Sequence, residues 1–254
     1  MTTSYDRFTD KTAIVTGAGS GIGKAVAERL AAEGAAVAAF DLNLDATEAT
    51  AAGITATGGT ATAHGVDVSD EASVESGVAA AVAAHGRPTV VCNIAGIGTF
   101  AWTHEMPIET WNRIIGVNLT GTFLMCKATI PHLLDGGGVI VNTASTAGLF
   151  GQPWSAAYCS SKGGVILMTK ALATEYEATP LRVNAVAPGG VETPIQNDFM
   201  TIPEGGDGKK LFKMMTKKGM CSPQEVAATF AHVASDESAY MNGSIVVIDG
   251  GITA

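Results

Sequence analysis

Seven short apolar runs alternate with six longer stretches of helical period along nearly the whole 254-residue chain, and that alternation leaves few folds open. The runs are Thr12–Thr16, Ala36–Phe40, Thr60–Val66, Thr89–Asn93, Val139–Thr143, Arg182–Ala187 and Ser244–Ile248. Between them lie Ile22–Glu33, Leu44–Thr57, Glu71–His85, Pro107–Leu134, Trp154–Glu177 and Pro223–Ala234. The runs are rich in Val, Ile and Ala with little polar alternation, as strands covered on both faces require. Strand–helix–strand repetition implies right-handed crossovers, so the pattern predicts an α/β, doubly wound, seven-stranded, mostly parallel sheet with helices on both faces. No repeat, low-complexity tract or linker divides the chain, so residues 1–254 are expected to form one domain. The stretch 191–220 departs from the pattern, and a long insertion in a compact domain usually serves as a functional loop or lid.

Directly after the first strand comes Thr16-Gly17-Ala18-Gly19-Ser20-Gly21-Ile22-Gly23, opening a helix. Glycines in such a turn let the backbone approach a pyrophosphate, which sits on the positive end of the helix. The same glycines also suit a plain tight strand–helix connection, and the position at the first strand of an alternating pattern is what favours the nucleotide. Asp41 closes the second strand, 18 residues after Gly23. A carboxylate there accepts hydrogen bonds from ribose hydroxyls and repels a 2′-phosphate, and the turn holds no Arg or Lys, so NAD(H) is favoured over NADP(H). As a helix N-cap, Asp41 would have a purely structural use.

Tyr158-Cys159-Ser160-Ser161-Lys162 places a phenol and an ammonium at i and i+4 on one helical face. Ser145 lies thirteen residues upstream, just past the fifth strand, where a parallel sheet presents its binding crevice. To serve as a general base near neutrality, a tyrosine must be brought down from about 10, at roughly 1.36 kcal/mol per unit. Lys162 and the positive ring of a cofactor are the expected sources.

These residues resemble the short-chain dehydrogenase/reductase family, in its single-domain branch of about 250 residues, from about Asp10 to Gly251. The resemblance implies a Rossmann-type fold. The family's glycine motif matches Thr16, Gly17, Gly21, Ile22 and Gly23, with Gly19 and Ser20 of the same turn as further expected cofactor contacts, and its adenine-contacting acid matches Asp67, followed by Val68. Its Asn-Asn-Ala-Gly reads Asn93-Ile94-Ala95-Gly96 here, with Ile94 as the one departure. Pro188, Gly189, Val191 and Thr193 resemble the segment that contacts the nicotinamide carboxamide. Asn118, Ser145, Tyr158 and Lys162 complete the tetrad. By this resemblance Tyr158 is the acid/base, Ser145 orients the carbonyl, Lys162 lowers the Tyr158 pKa and binds the nicotinamide ribose, and the Asn118 main chain holds a relay water. The resemblance also implies a homotetramer or homodimer formed through the two long helices Pro107–Leu134 and Trp154–Glu177.

Composition narrows the partners. With 24 acidic against 15 basic residues the net charge is −9, which opposes binding to nucleic acid or anionic membrane. The N-terminus lacks a basic start followed by an apolar run, and no stretch approaches about 18 uninterrupted apolar residues. Cys92, Cys126, Cys159 and Cys221 form no CxxC pair and there is no HExxH, so no metal site is expected and a reducing, cytoplasmic location is. The substrate is expected to be a small alcohol or ketone, held in an apolar pocket by Ala147, Phe150, Trp154, Gly190, Phe199 and Met200. Leu211, Phe212, Met214 and Met215 share one arc of a helical wheel, opposite Lys209, Lys210, Lys213 and Lys217. That predicts an amphipathic helical lid whose lysines either guide an anionic group or are a solvated face.

The leading expectation is an NAD(H)-dependent oxidoreductase that interconverts a secondary alcohol and a ketone, in the oxidising direction. An NADPH-dependent 3-oxoacyl-thioester reductase is the alternative. A non-catalytic nucleotide-binding protein on the same fold is the alternative of another class.

Overall fold

The computed structural model describes residues 6–199 and 201–254, with the Lys213 side chain outside the described set. Strands β1 (Thr12–Thr16), β2 (Ala36–Asp41), β3 (Thr60–Gly65), β4 (Val90–Asn93), β5 (Gly138–Thr143), β6 (Leu181–Pro188) and β7 (Ile245–Ile248) form one sheet in the order 3-2-1-4-5-6-7. All six pairings are parallel, as the doubly wound, mostly parallel expectation has it, with no antiparallel strand among the described residues. The reason is that every connection crosses over through helix or lid, so no strand returns by a hairpin.

The helices are α1 (Gly21–Ala32), α2 (Leu44–Ala56), α3 (Glu71–His85), α4 (Ile108–Ile115), α5 (Gly121–Leu134), α6 (Ala156–Glu175) and α7 (Pro223–Ala234). One core fills the face beneath α1 and α7, around Val26, Leu30, Val226 and Phe230. A second fills the opposite face beneath α3 and α5, around Val74, Val78, Met125 and Leu133. The segment Ile108–Leu134 has the length and apolar composition of a membrane-crossing helix. Its apolarity goes instead to the core, where Leu124, Met125, Cys126, Ile130 and Leu133 are buried.

That segment is not one continuous α-helix. A π turn at Gly116–Thr120 separates α4 from α5, where the sequence pattern implied a single helix. Such single-turn insertions concentrate at functional sites, and this one carries Asn118. The lid also differs from expectation. Gly208–Met214 is a 3-10 helix and not an α-helix, so the wheel arc breaks at one residue: Leu211, Met214 and Met215 line the central cavity as expected, while Phe212 is exposed and does not line it.

Arg182 on β6 ties the C-terminal region down. Its guanidinium donates to the carbonyls of Val233, Ser235 and Met241 and to Ser238 Oγ, and burial lowers its pKa. Arg182→Met is expected to lower unfolding stability by about 2 kcal/mol, because it strands these acceptors. A urea melt in which the variant and the parent coincide would remove that role.

Candidate active site

The site is built at the point where strand order reverses, between β1 and β4, because the chain leaves these two strands in opposite directions and opens a crevice. The opening is pinned by Thr16, whose Oγ1 accepts from the amides of Ile94 (2.8 Å) and Ala95 (3.1 Å). A cavity of about 850 Å³ runs along the C-terminal ends of the strands.

At one part of this cavity lie Gly17, Ser20, Gly21, Ile22 and Gly23. Gly17 takes φ 69°, and a Cβ on it would stand 3.0 Å from the Ala95 amide. At Gly23 a Cβ would reach 2.1 Å from the Gly17 carbonyl, so only glycine lets α1 start this close to the turn. Ser20, the residue before α1, makes no side-chain cap, and the first turn holds no acid. The free amides of that helix start therefore suit an external anion. Gly19 itself does not line the cavity; its amide donates to Asp41 Oδ2 at 2.9 Å.

Asp41, Asp67 and Val68, at the ends of β2 and β3, line the cavity beside Leu42. Asp41 also accepts from the Asn43 amide (3.0 Å), and Asn43, not Asp41, caps α2. The structure so removes the capping alternative for Asp41. Ala95 and Gly96 line the cavity, but Asn93 does not. Its side chain donates to Asn142 Oδ1 (2.9 Å) inside the sheet, which makes it a support of the floor.

Ser145, Tyr158 and Lys162 meet in the cavity wall. Ser145 Oγ accepts from the Ala147 amide at 3.1 Å. Burial pushes the Tyr158 phenol up to about 12, against a hydrogen bond from Ser145 that lowers it. Lys162 Nζ lies 5.9 Å from the Tyr158 ring centroid, donates to the Thr143 carbonyl (2.8 Å), and is pulled down to about 8 by burial. The chain's own groups therefore do not depress the phenol as the Tyr–Lys spacing suggested. Burial disfavours the charged form of each residue, and Lys162 spends a hydrogen bond on a carbonyl instead.

Asn118 does not line the cavity either. Its side chain clamps the loop after β4, accepting from the Ile97 amide and donating to the Ile97 carbonyl, both at 2.8 Å, and it donates to Ser161 Oγ on α6 at 3.0 Å. Its carbonyl accepts from Thr122 Oγ1 at 2.7 Å. Asn118 thus positions the loop after β4 relative to the helix that carries Tyr158.

Pro188, Gly189, Gly190, Val191, Thr193 and Phe199 line the cavity where β6 runs into the lid. Three expected pocket residues do not: Ala147 is buried behind Ser145, Phe150 lies outside the lining, and Trp154 is buried against Phe100 and Trp102. Met200 lies outside the described residues. None of Lys209, Lys210, Lys217 and Lys218 lines the cavity; all four are exposed. Sequence reasoning missed Ile97, Phe100, Gln152 and Arg113. For Ile97 and Phe100 the signal was available, since they follow Gly96 in a loop that leaves the carboxyl end of a strand.

A family model described as enoyl-(acyl carrier protein) reductase matches residues 17–253. The D-threitol dehydrogenase of Mycolicibacterium smegmatis is 40% identical over 97% of this chain and 94% of its own. The meso-2,3-butanediol dehydrogenase of Serratia marcescens is 38% identical over 98% and 96%. Among solved structures, the 3-ketoacyl-(acyl-carrier-protein) reductase from Brucella melitensis complexed with NADH superposes with a TM-score of 0.88, at 34% identity over 97% of this chain and 100% of that one. The chain belongs to the short-chain dehydrogenase/reductase family. It is an oxidoreductase of CH–OH groups.

Proposed function

We propose that this chain oxidises a secondary alcohol to a ketone with NAD⁺, with Tyr158 as the general base and, in the reverse direction, the general acid. The observation that carries the proposal is the convergence of Ser145, Tyr158 and Lys162 with the β1–α1 glycine turn and Asp41 on one cavity. The glycine cradle, the uncapped helix start and the Asp41 carboxylate fit a dinucleotide. When bound, its nicotinamide ring takes up or gives the hydride.

The chain's residues handle the proton. Ser145 orients the substrate oxygen, and Tyr158 takes the hydroxyl proton as the C–H bond breaks. Lys162, protonated at neutral pH with a pKa of about 8, stabilises the phenolate. Gly189, Val191 and Thr193 bound the carboxamide end. Asn118 holds the loop after β4 and α6 in register; a water at its main chain would pass the proton onward.

NAD(H) is favoured because Asp41 stands where a 2′-phosphate would come. Among the described residues, the cationic side chains lining the cavity are Arg113 and Lys162, from α4 and α6 and not from the glycine turn or the end of β2. A paired fluorescence titration tests this. The parent is expected to prefer NADH at least tenfold, about 1.4 kcal/mol. Asp41→Ala should erase most of that preference. Tighter binding of NADPH by the parent would overturn the reading and promote the thioester reductase, for which the exposed Lys209, Lys210, Lys217 and Lys218 offer no support within the cavity. The convergence of Ser145, Tyr158 and Lys162 on one cavity argues against a non-catalytic role.

The assembly proposed is a homotetramer or homodimer that covers the exposed Ile108, Phe123 and Leu167 on α4, α5 and α6. The four cysteines are unpaired, which supports a cytoplasmic setting.

A further inference from the structure

Gly98, buried in the loop after β4, is shaped by an aromatic ring. A Cβ there would stand 2.2 Å from Phe199 Cζ, 2.8 Å from Phe199 Cε2 and 2.9 Å from Tyr158 Cδ2. Phe199, which ends the 3-10 segment Pro194–Phe199 in the lid, therefore occupies the space a side chain at 98 would fill. It meets Tyr158 edge-on at 5.1 Å and Phe100 edge-on at 5.0 Å. Phe100 is backed in turn by Trp154 at 5.9 Å, and Trp154 by Trp102 at 5.8 Å.

This arrangement is held under strain. Trp154 takes φ 60°, a left-handed conformation costly for any side chain, and such strain persists only where the surroundings enforce it. Here its carbonyl accepts from the Ala101 amide at 2.9 Å, and its ring fits so closely that a Cβ on Gly206 would stand 3.0 Å from it. Trp102 Nε1 donates to the Glu204 carbonyl at 2.9 Å, tying the same aromatic row to the lid.

We infer that Gly98 and Phe199 are specificity-determining residues: with Phe100 they form an aromatic clamp beside the reacting oxygen that selects ring-bearing secondary alcohols over open-chain ones. The inference rests on the oxidoreductase reading above and names its substrate class. Phe100, Phe199, Leu211 and Met214 present apolar surface, while the polar contacts come from Ser145 and Tyr158 at the reacting oxygen and from Gln152, Gln196 and Thr216 elsewhere in the lining. A rigid ring fills such a slot with little entropy to lose and meets aromatic edges favourably. A polyol would bury hydroxyls against the clamp without partners, which a site discriminates strongly against.

The test is kcat/KM for NAD⁺-dependent oxidation of cyclohexanol and of 2-hexanol, which match in carbon number and differ in the ring. The parent is expected to favour cyclohexanol by tenfold or more. Phe199→Ala should cut that ratio at least fivefold, chiefly through the KM for cyclohexanol, with an unchanged melting midpoint. Gly98→Ala should move the ratio the same way by displacing the Phe199 ring. The double variant should match Phe199→Ala in that ratio, because Gly98 sets the ratio through that ring, while its kcat for both alcohols should fall below that of Phe199→Ala, because a Cβ at 98 would also stand 2.9 Å from Tyr158 Cδ2. A parent that oxidises both alcohols equally, or a Phe199→Ala ratio equal to the parent's, overturns the clamp while leaving the oxidoreductase reading intact. NADH binding without oxidation of either alcohol overturns the clamp too. Failure to bind NADH sinks the underlying reading and the clamp together.

Discussion

Tyr158→Phe is expected to lower alcohol oxidation by a thousandfold or more while NADH affinity stays within about twofold, since general acid–base catalysis contributes about 10² to 10⁴ and its loss here is complete. The substitution removes one hydroxyl and keeps the ring that packs on Phe199 at 5.1 Å, so the fold has no reason to change. Steady-state turnover, fluorescence titration and a thermal melt measure the three quantities separately. Retained turnover would take the proton-transfer role away from Tyr158. The pH profile of the parent has a definite sign. With the phenol at about 12 in the chain alone, neutral solution holds it protonated, ready to act as an acid and unready as a base. Moving it to about 7 requires about 7 kcal/mol of phenolate stabilisation, at roughly 1.36 kcal/mol per unit. Oxidation should therefore rise with pH until Tyr158 titrates in the ternary complex, and ketone reduction should fall over the same range. A flat profile in both directions would contradict proton transfer at this residue.

Lys162→Met is expected to cost about 10² to 10⁴ in turnover and, at neutral pH, to make the protein more stable. Lys162 is 3% exposed and its pKa in the fold is about 8, below the ordinary 10.5. Between those values the unfolded chain binds more protons than the folded one, so stability rises with pH across that interval. Below pH 8 the full penalty of a buried ammonium is present, about 3 kcal/mol at 1.36 kcal/mol per unit. Part of the relief in the variant is offset, because the Thr143 carbonyl loses the 2.8 Å hydrogen bond from Nζ. Urea melts at pH 7 and pH 10 decide the matter. The variant should exceed the parent at the lower pH, and the gap should shrink at the higher. A variant less stable than the parent at pH 7, with the same pH slope, would show that Lys162 is retained for stability. The predicted trade, stability given up for a cation at the reacting centre, is common in active sites.

Local pattern carried most of the fold. The apolar runs, the glycine turn and the i,i+4 pair of Tyr158 and Lys162 depend on residues near one another in sequence, and strand ends fell within a residue or two of their observed positions. Where sequence reading failed, the deciding contacts are distant. The π turn at Gly116–Thr120 forms where Asn118 must reach Ile97 and Ser161, which no periodicity encodes. Gly208–Met214 adopts a three-residue period, so a 3.6-residue wheel put Phe212 on the wrong side. Asn93 read as a cofactor contact together with Ala95 and Gly96, which do line the cavity, yet its side chain's partner is Asn142, 49 positions away.

The sequence by itself determined an α/β sheet of parallel strands and a glycine turn on the first strand suited to a dinucleotide, because backbone propensity and glycine sterics are local properties, and its resemblance to the family supplied the candidate reacting side chains. Only the tertiary structure decided that burial drives Tyr158 and Lys162 toward their uncharged forms, that Asn118 is a clamp, and that Phe199 lies in the space Gly98 leaves. Desolvation and side-chain contact depend on what the whole chain packs around a residue, and that is fixed only when strands far apart in sequence stand side by side.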